Sequence, residues 1–144
     1  MYEFKKSLGR LSQQVSKLLG LRLELKFRSA GIRMNGAQWS ILSMLQQSDC
    51  VTQQCIGATL QMDKVTLTRA ANALEKQGYL TRSPLKGDRR INEISLSDKG
   101  KRIYSILAPL AEETLGEAFA GIDKNEAEAM MEILDRVYNN LNRR

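Results

Sequence analysis

Residues 64–72 carry the side chains in this sequence that are best suited to contacting a nucleic acid. Four apolar residues recur there at helical spacing and predict a buried stripe: Leu67, Ala70, Ala71 and Leu74. The positions between them face the other way: Lys64, Val65, Thr66, Thr68, Arg69 and Asn72. Basic side chains bind phosphates, hydroxyl and amide groups hydrogen-bond to base edges, and a valine can meet a thymine methyl group. The spacing therefore predicts a helix whose exposed face reads DNA.

The ends of this helix and the segment after it are also marked in the sequence. Asp63 is the predicted N-cap and Gly78 is the glycine expected after the last turn, so the helix is predicted from about Lys64 to Gln77. Beyond it the period changes from 3.6 to about 2 residues. Two short strands are therefore predicted, Tyr79–Ser83 and Asn92–Leu96.

The loop between these strands, Pro84–Arg90, contains a proline, a glycine and four charged residues. A helix followed by a hairpin with a basic tip is a winged helix, in which the helix fits the major groove and the wing can place an arginine in the minor groove. Asp88 is expected to orient one neighbouring guanidinium while the other enters the groove; the alternative is an ordinary surface ion pair. The wing residues predicted to contact DNA are Arg82, Lys86, Asp88, Arg89 and Arg90.

Several kinds of chemistry lack the residues they need. The chain has no histidine and only two cysteines, Cys50 and Cys55, which excludes histidine general-base catalysis and the usual four-ligand zinc site. The common phosphate-binding glycine loops are missing as well. We expect no metal, no cofactor and no enzymatic activity, and we expect both cysteines to be bystanders. Without a leader or an 18-residue apolar run, the sequence predicts a cytoplasmic protein that does not bind membranes.

The positive charge is unevenly distributed. The chain has 22 basic and 16 acidic residues, and residues 1–40 and 61–90 carry net charges of +6 and +4. Residues 91–144 carry a net charge of −3. The basic segments include the predicted DNA-reading unit, which suits a polyanionic partner, although basic helices are often merely solvated faces.

Two further helices precede the reading helix, and the second of them forms a helix-turn-helix with it. The segment Asn35–Gln38 has the residues of a capping box and begins a helix with an apolar face that includes Trp39. A short helix begins at Thr52, and the turn Gln61–Asp63 leads directly into the reading helix. In such a unit the first helix supports and the second reads.

Long amphipathic helices flank this unit. The N-terminal helix, ending at Gly31, has an apolar stripe in which Arg22 takes one position: Phe4, Leu8, Leu11, Val15, Leu18 and Leu25. Ser97 is the N-cap of a helix that runs to about Ala120, and Asp123 begins the last helix. The stripe of that last helix is Ala127, Met130, Met131, Leu134, Val137, Tyr138 and Leu141. These stripes predict a homodimer interface; the alternative is one monomeric core that encloses them.

An ordered set of motifs in this sequence resembles the MarR family of bacterial transcriptional regulators. The motifs are Thr68-Arg69, Leu74-Glu75 with Gly78, Asp88-Arg89-Arg90, and Leu96-Ser97 with Gly100, preceded by Gly31-Ile32, Gln38-Trp39, Leu42, Leu45 and Thr52-Gln53-Gln54. The resemblance implies a mainly α fold with a small β-hairpin wing (α+β), that is, a winged helix-turn-helix with N- and C-terminal dimerisation helices. It covers nearly the whole chain. We therefore predict a single domain over residues 1–144, with a reader at about 32–96 and dimerisation helices at 1–30 and 97–144.

The resemblance also implies a function. It implies a ligand-responsive repressor that binds double-stranded DNA as a homodimer on a pseudo-palindromic operator. The effector would be a small aromatic or anionic molecule, in a cleft near Phe27, Arg28 and Trp39. Departures from the family pattern are Gly57, where alanine is usual, and Cys55, where a polar residue is common.

Two alternatives remain open from the sequence. A winged helix can serve as a protein-interaction module without DNA binding, although such a surface should be more apolar than the predicted reading face. A cysteine-based redox-sensing regulator is the other alternative. The resemblance implies that such a regulator has its reactive cysteine in the N-terminal helix, and the predicted N-terminal helix here contains no cysteine.

Overall fold

The computed structural model describes residues 3–47 and 52–143, which form a mainly helical winged helix-turn-helix. A 3-10 turn (Phe4–Lys6) precedes α1 (Leu8–Ser29), α2 (Gly36–Gln47), α3 (Gln53–Leu60) and α4 (Lys64–Lys76). The hairpin of β1 (Leu80–Leu85) and β2 (Asp88–Leu96) follows, and α5 (Asp98–Ala118) and α6 (Lys124–Leu141) complete the described chain. None of the helices in these two ranges combines the length and the apolar content needed to cross a membrane.

Side-chain caps begin the helices where the sequence predicts them. Asn35 and Gln38 exchange hydrogen bonds between side chain and backbone, each 2.9 Å long, and so form the expected capping box of α2. Asp63 caps α4 and Ser97 caps α5. Asp123 forms a capping box with Glu126 at α6. Each cap satisfies backbone N–H groups that lack a partner inside the helix, which fixes where the helix begins.

The core lies where the helix-turn-helix, the hairpin and parts of α1 and α5 meet. Its fully buried residues include Phe27 of α1, Ile41 and Leu42 of α2, and Leu107 of α5. The predicted stripe of α4 is buried as expected, at Leu67, Ala70, Ala71 and Leu74. Trp39 is only partly buried and packs against this core, with its ring between those of Phe27 and Tyr104.

The N-terminal helix is shorter than its apolar stripe predicts. The helical conformation is interrupted at Ser7, whose side chain accepts a hydrogen bond from the Arg10 backbone N–H. As a result, α1 begins only at Leu8. Phe4 therefore lies in the preceding 3-10 turn, where the Arg10 guanidinium stands 5.4 Å from the centre of its ring. A serine that caps a helix competes with continuation of the helix through it.

The hairpin is longer than predicted and its loop is shorter. Leu85 pairs with Asp88, so the turn consists of Lys86 and Gly87 alone, and Gly87 takes a φ of 98°. The predicted loop residues Pro84, Leu85 and Asp88–Arg90 therefore belong to strands. A proline fits there because β1 has a strand partner on one side only, and the register shifts between Pro84 and Leu85.

The apolar stripes of α1 and α6 remain exposed on the single chain. Leu11, Val15 and Leu18 of α1 are exposed, and α6 contains no buried residue. Met131 and Leu141 of α6 are 56% and 80% exposed. The alternative of one monomeric core that encloses both stripes is therefore wrong for this chain.

Cys55 lies in the first turn of α3, where its backbone N–H donates to the Thr52 side chain. Its sulfur is engaged in a disulfide. Cys50, the other predicted bystander, lies outside the described residues.

Candidate nucleic-acid interface

The exposed face of α4 forms a shallow depression about 460 Å³ in volume. Because residues three and four apart share one side of a helix, the predicted reading residues converge there. Val65 is 66% exposed although it is apolar, so it is available for a contact outside the chain. The depression is lined by Lys64, Val65, Thr68, Arg69 and Asn72. Five of the six reading residues predicted on this helix thus lie together.

The sixth, Thr66, has a structural role at the start of the helix. Its backbone N–H and its hydroxyl donate to the two carboxylate oxygens of Asp63, over 2.8 and 2.7 Å. These hydrogen bonds lower the pKa of Asp63 below its usual range, and the bond from the Thr66 backbone N–H has the largest effect. The hydroxyl hydrogen of Thr66 is therefore already used at the N-cap.

Arg82 joins the wing to the recognition helix. It lies on β1, and its Nη1 donates to Asn72 Oδ1 over 2.9 Å and to Glu75 Oε1 over 3.0 Å. Its side chain is only 19% exposed, compared with 91% for Arg90 near the wing tip. The structure thus places the predicted wing contact Arg82 in a bridge between β1 and α4.

Thr68 is held by the supporting helix. Gln53, the first residue of α3, donates from Nε2 to the Thr68 hydroxyl oxygen over 2.9 Å. The hydrogen bond connects the two helices of the helix-turn-helix through their polar faces. It also leaves the Thr68 hydroxyl hydrogen for another acceptor.

The wing tip carries the expected cations. Lys86 and Arg89 are exposed, and Arg90 Nε lies 3.3 Å from Asp88 Oδ1. The Arg90 backbone N–H donates to the same oxygen over 3.0 Å. Asp88 therefore orients one guanidinium of the Arg89-Arg90 pair, as the sequence suggests, and that group stays open to solvent.

Sequence reasoning missed Gln53 and Glu75, the residues that hold Thr68 and Arg82. Glu75 follows Asn72 by three positions, so the two residues share a side of α4. That spacing could have indicated that one side chain contacts both. Gln53 gives no such signal, because its contact depends on how α3 packs against α4.

A second cavity of about 460 Å³ lies between α1, α2 and α5. Of the three predicted ligand contacts it includes Trp39. Phe27 is fully buried, its ring centre 5.3 Å from that of Trp39, and the exposed Arg28 lies 3.9 Å from Glu24. The lining residues are uncharged: Ser16, Leu19, Gly20, Leu23, Gly36, Ala37, Trp39, Ser40, Ala111, Thr114 and Leu115.

An ion-pair group near this cavity ties α1 to α5. Lys26 Nζ lies 2.6 Å from Glu117 Oε1 and 3.3 Å from Glu113 Oε2. The hydrogen bond to Glu117 raises the pKa of Lys26, and the same bond lowers the pKa of Glu117. These ion pairs thus connect α1 to α5, two of the helices that line the cavity.

Comparisons with known proteins agree with this architecture. Residues 34–91, which contain the helix-turn-helix and most of the wing, match the model of the MarR family. The HTH-type transcriptional regulator YybA of Bacillus subtilis (strain 168), itself uncharacterised, is 26% identical over 106 residues, which is 74% of this chain and 71% of YybA.

Solved structures share the fold over almost the whole chain. A MarR/EmrR family transcriptional regulator from Acinetobacter sp. ADP1 superposes with a TM-score of 0.85 at 18% identity, covering 98% of this chain and 99% of that one. CouR from Rhodococcus jostii RHA1, bound to p-coumaroyl-CoA, gives a TM-score of 0.77 at 21% identity and 95% coverage of both chains. With its reading helix, its basic wing and these matches, the chain contains a MarR-family domain at residues 34–91, in the winged helix-turn-helix fold of DNA-binding transcriptional regulators.

Proposed function

We propose that this regulator is a ligand-responsive repressor that binds a pseudo-palindromic operator in double-stranded DNA as a homodimer. The observation that carries the proposal is the depression on α4, where Lys64, Thr68, Arg69 and Asn72 converge on one exposed face. Polar and basic groups at that density suit a major groove and would be costly in an apolar protein interface. This distinguishes the proposal from a protein-interaction module.

The DNA contacts are assigned to two surfaces of one reader, residues 32–96, within a single domain. Thr68, Arg69 and Asn72 contact base edges or phosphates, Lys64 a phosphate, and Val65 a thymine methyl. Lys86, Arg89 and Arg90 contact the flanking minor groove, with Asp88 as the orienting carboxylate. Thr66 and Arg82 act indirectly, through the hydrogen bonds of Thr66 to Asp63 and of Arg82 to Asn72.

The exposed stripes of α1 and α6 support a dimer. Contiguous apolar surface of this kind is unusual on a monomer, and burial against a second copy would remove it from water. A two-fold dimer brings two recognition helices onto half-sites about 34 Å apart, one turn of DNA.

The uncharged cavity beside Trp39 supports a small effector with an aromatic part. A ligand-bound relative in fold, CouR, was solved with p-coumaroyl-CoA. The cavity here offers hydroxyl groups and apolar surface, and Arg28 is not among its lining residues. Binding there would change the angle between α1, α5 and the reader, and so the spacing of the two readers.

The regulator has no catalytic role and acts in the cytoplasm, where it reaches DNA.

In vitro selection from random duplexes tests this function. The parent protein should enrich an inverted repeat with half-site centres about 10 base pairs apart. A matched Arg69→Ala protein should enrich it weakly or not at all. Enrichment of no sequence by the correctly folded parent, at low salt, would refute the proposed function.

A further inference from the structure

The hydrogen bonds inside the reader determine which atoms of α4 remain for DNA. Asn72 has one acceptor oxygen and one amide nitrogen with two hydrogens. A guanidinium can only donate, so the side-chain atom that faces Arg82 Nη1 at 2.9 Å must be the oxygen. Arg82 therefore uses one of the two lone pairs of the Asn72 oxygen and fixes the orientation of the amide, whose N–H₂ group is left for another acceptor.

The hydrogen bond to Thr68 likewise leaves a donor available for DNA. Its hydroxyl oxygen accepts from Gln53 Nε2, and its hydrogen is left to donate. Arg69 and Lys64, which line the same depression, are donors only. The polar groups that this depression offers to a partner are therefore predominantly donors.

Base edges in the major groove differ in how they match such a surface. Guanine presents two adjacent acceptors, N7 and O6, whereas adenine presents the acceptor N7 beside the donor N6. The usual asparagine contact to adenine uses both the amide oxygen and the amide nitrogen. Here the Arg82 guanidinium takes one lone pair of that oxygen and fixes the amide with its oxygen turned towards β1, which leaves the amide nitrogen as the part of Asn72 that can approach a base.

We propose that Asn72 reads a G·C pair through donation from its amide nitrogen to guanine N7 and O6, and that Arg82 imposes this preference by holding the Asn72 oxygen. Arg82 is a positioning residue here, because it acts through Asn72. The inference rests on the proposed function and deepens it, since it names the base edge that one residue recognises.

Two selections identify the contacted position. The parent protein and Asn72→Ala are each used to select from the same random duplex library, and the position at which Asn72→Ala loses its base preference is the one that Asn72 contacts. A G·C pair is expected there. An A·T pair, or an Asn72→Ala motif identical to the parental one, overturns the proposal. If the parent enriches no motif, the proposed function itself has failed.

A base analogue then tests the contacted atom. Replacing that guanine by 7-deazaguanine removes N7 and should weaken parental binding roughly 5- to 150-fold, the range of one good base contact. The same replacement should change Asn72→Ala binding by less than about twofold, which separates the Asn72 contact from contacts made by Arg69. Equal losses in both proteins would overturn the proposal.

The role of Arg82 needs a readout that a purely structural role would not change. That readout is the ratio of affinities for duplexes with G·C and with A·T at the contacted position. Arg82→Ala releases the Asn72 oxygen, so the ratio should fall towards one. The matched wing variant Arg89→Ala should weaken binding to both duplexes and keep the parental ratio. An unchanged ratio in Arg82→Ala refutes the positioning role.

Discussion

Gly100, in the first turn of α5, lies directly against the carbonyl of Tyr79. A Cβ atom at position 100 would overlap the Tyr79 carbonyl oxygen, and the Ser97 backbone N–H donates to that oxygen over 3.1 Å. The Ser97 hydroxyl donates to the neighbouring Gly78 carbonyl. The spacing of Ser97 and Gly100 thus fixes α5 to the end of the recognition helix.

Gly100→Ala should therefore destabilise the fold by about 3 kcal/mol, because the added methyl group meets backbone that cannot rotate away. Chemical denaturation followed by circular dichroism measures the loss. Gly116→Ala is the matched control in the same helix, since open space surrounds that position, and it should stabilise by about 0.5 to 1 kcal/mol. Equal effects of both substitutions would contradict the close approach.

Leu74→Ala should destabilise the fold by about 2 to 5 kcal/mol through a core cavity, because Leu74 is fully buried under α4. Denaturant midpoints with unchanged slopes provide the measurement. The exposed Arg69 on the same helix is the control, and Arg69→Ala should leave the midpoint nearly unchanged. A midpoint shift of similar size in both would mean that the two faces of α4 are assigned wrongly.

Features that depend on neighbouring residues in the chain could be predicted from sequence. The caps Asp63, Ser97 and Asp123, and the buried stripe of α4, follow from local hydrogen bonding and helical spacing, and they are confirmed. The hairpin was predicted too short because its register shift near Pro84 depends on pairing across the two strands.

Features that depend on packing between elements were not predictable in this way. Gly57 stands where alanine is usual in the family pattern, and a Cβ there would lie 3.0 Å from Leu67 Cδ2, so the glycine leaves room for this side chain of α4. The bonds of Arg82 to Asn72 and of Gln53 to Thr68 likewise appear only when the elements are assembled. They decide which polar atoms are available at the site.

The cap of α4 should make stability depend on pH. The pKa of Asp63 is lowered in the folded chain by its bonds to Thr66, so its contribution is present above the unfolded pKa of about 3.9 and is lost as the pH falls through the folded value. The melting temperature of Asp63→Asn should therefore lie below that of the parent at pH 7. That difference should shrink below about pH 3.9. A difference that is constant from pH 7 to pH 2 would show that the Asp63 charge has no part in it.

Charges placed on the exposed stripe of α6 should separate the proposed dimer. Met131→Glu with Leu134→Glu puts two carboxylates into an apolar contact, where an unpaired charge is costly to bury. Light scattering at micromolar concentration should give the mass of one chain, 16.2 kDa, and twice that mass for the parent. Glu132→Lys, an exposed position on the same helix, is the control and should remain dimeric. A parent protein of single-chain mass would contradict the dimer directly.

The wing cations should set both the affinity for the operator and its dependence on salt. Arg90 is oriented by Asp88 yet 91% exposed, and Arg89 is exposed beside it, so neither side chain supports the core. Arg89→Ala and Arg90→Ala should each cost about 1 to 3 kcal/mol of binding free energy where the side chain makes a specific base contact, and less where it contacts a phosphate. Each lost phosphate contact should reduce the log–log salt slope by about 0.9.

Titrations of the selected duplex at several salt concentrations measure both quantities, and melting temperatures of the variants should match the parent. Lys124→Ala, a basic residue on α6 far along the chain from the wing, serves as the control for loss of one positive charge and should keep the parental salt slope. An Arg89→Ala, Arg90→Ala double variant that binds the duplex as tightly as the parent at physiological salt would show that the wing assignment is wrong. Because the α4 depression could still bind DNA without the wing, a loss of binding by Arg69→Ala in the same titration would then assign the DNA contact to α4.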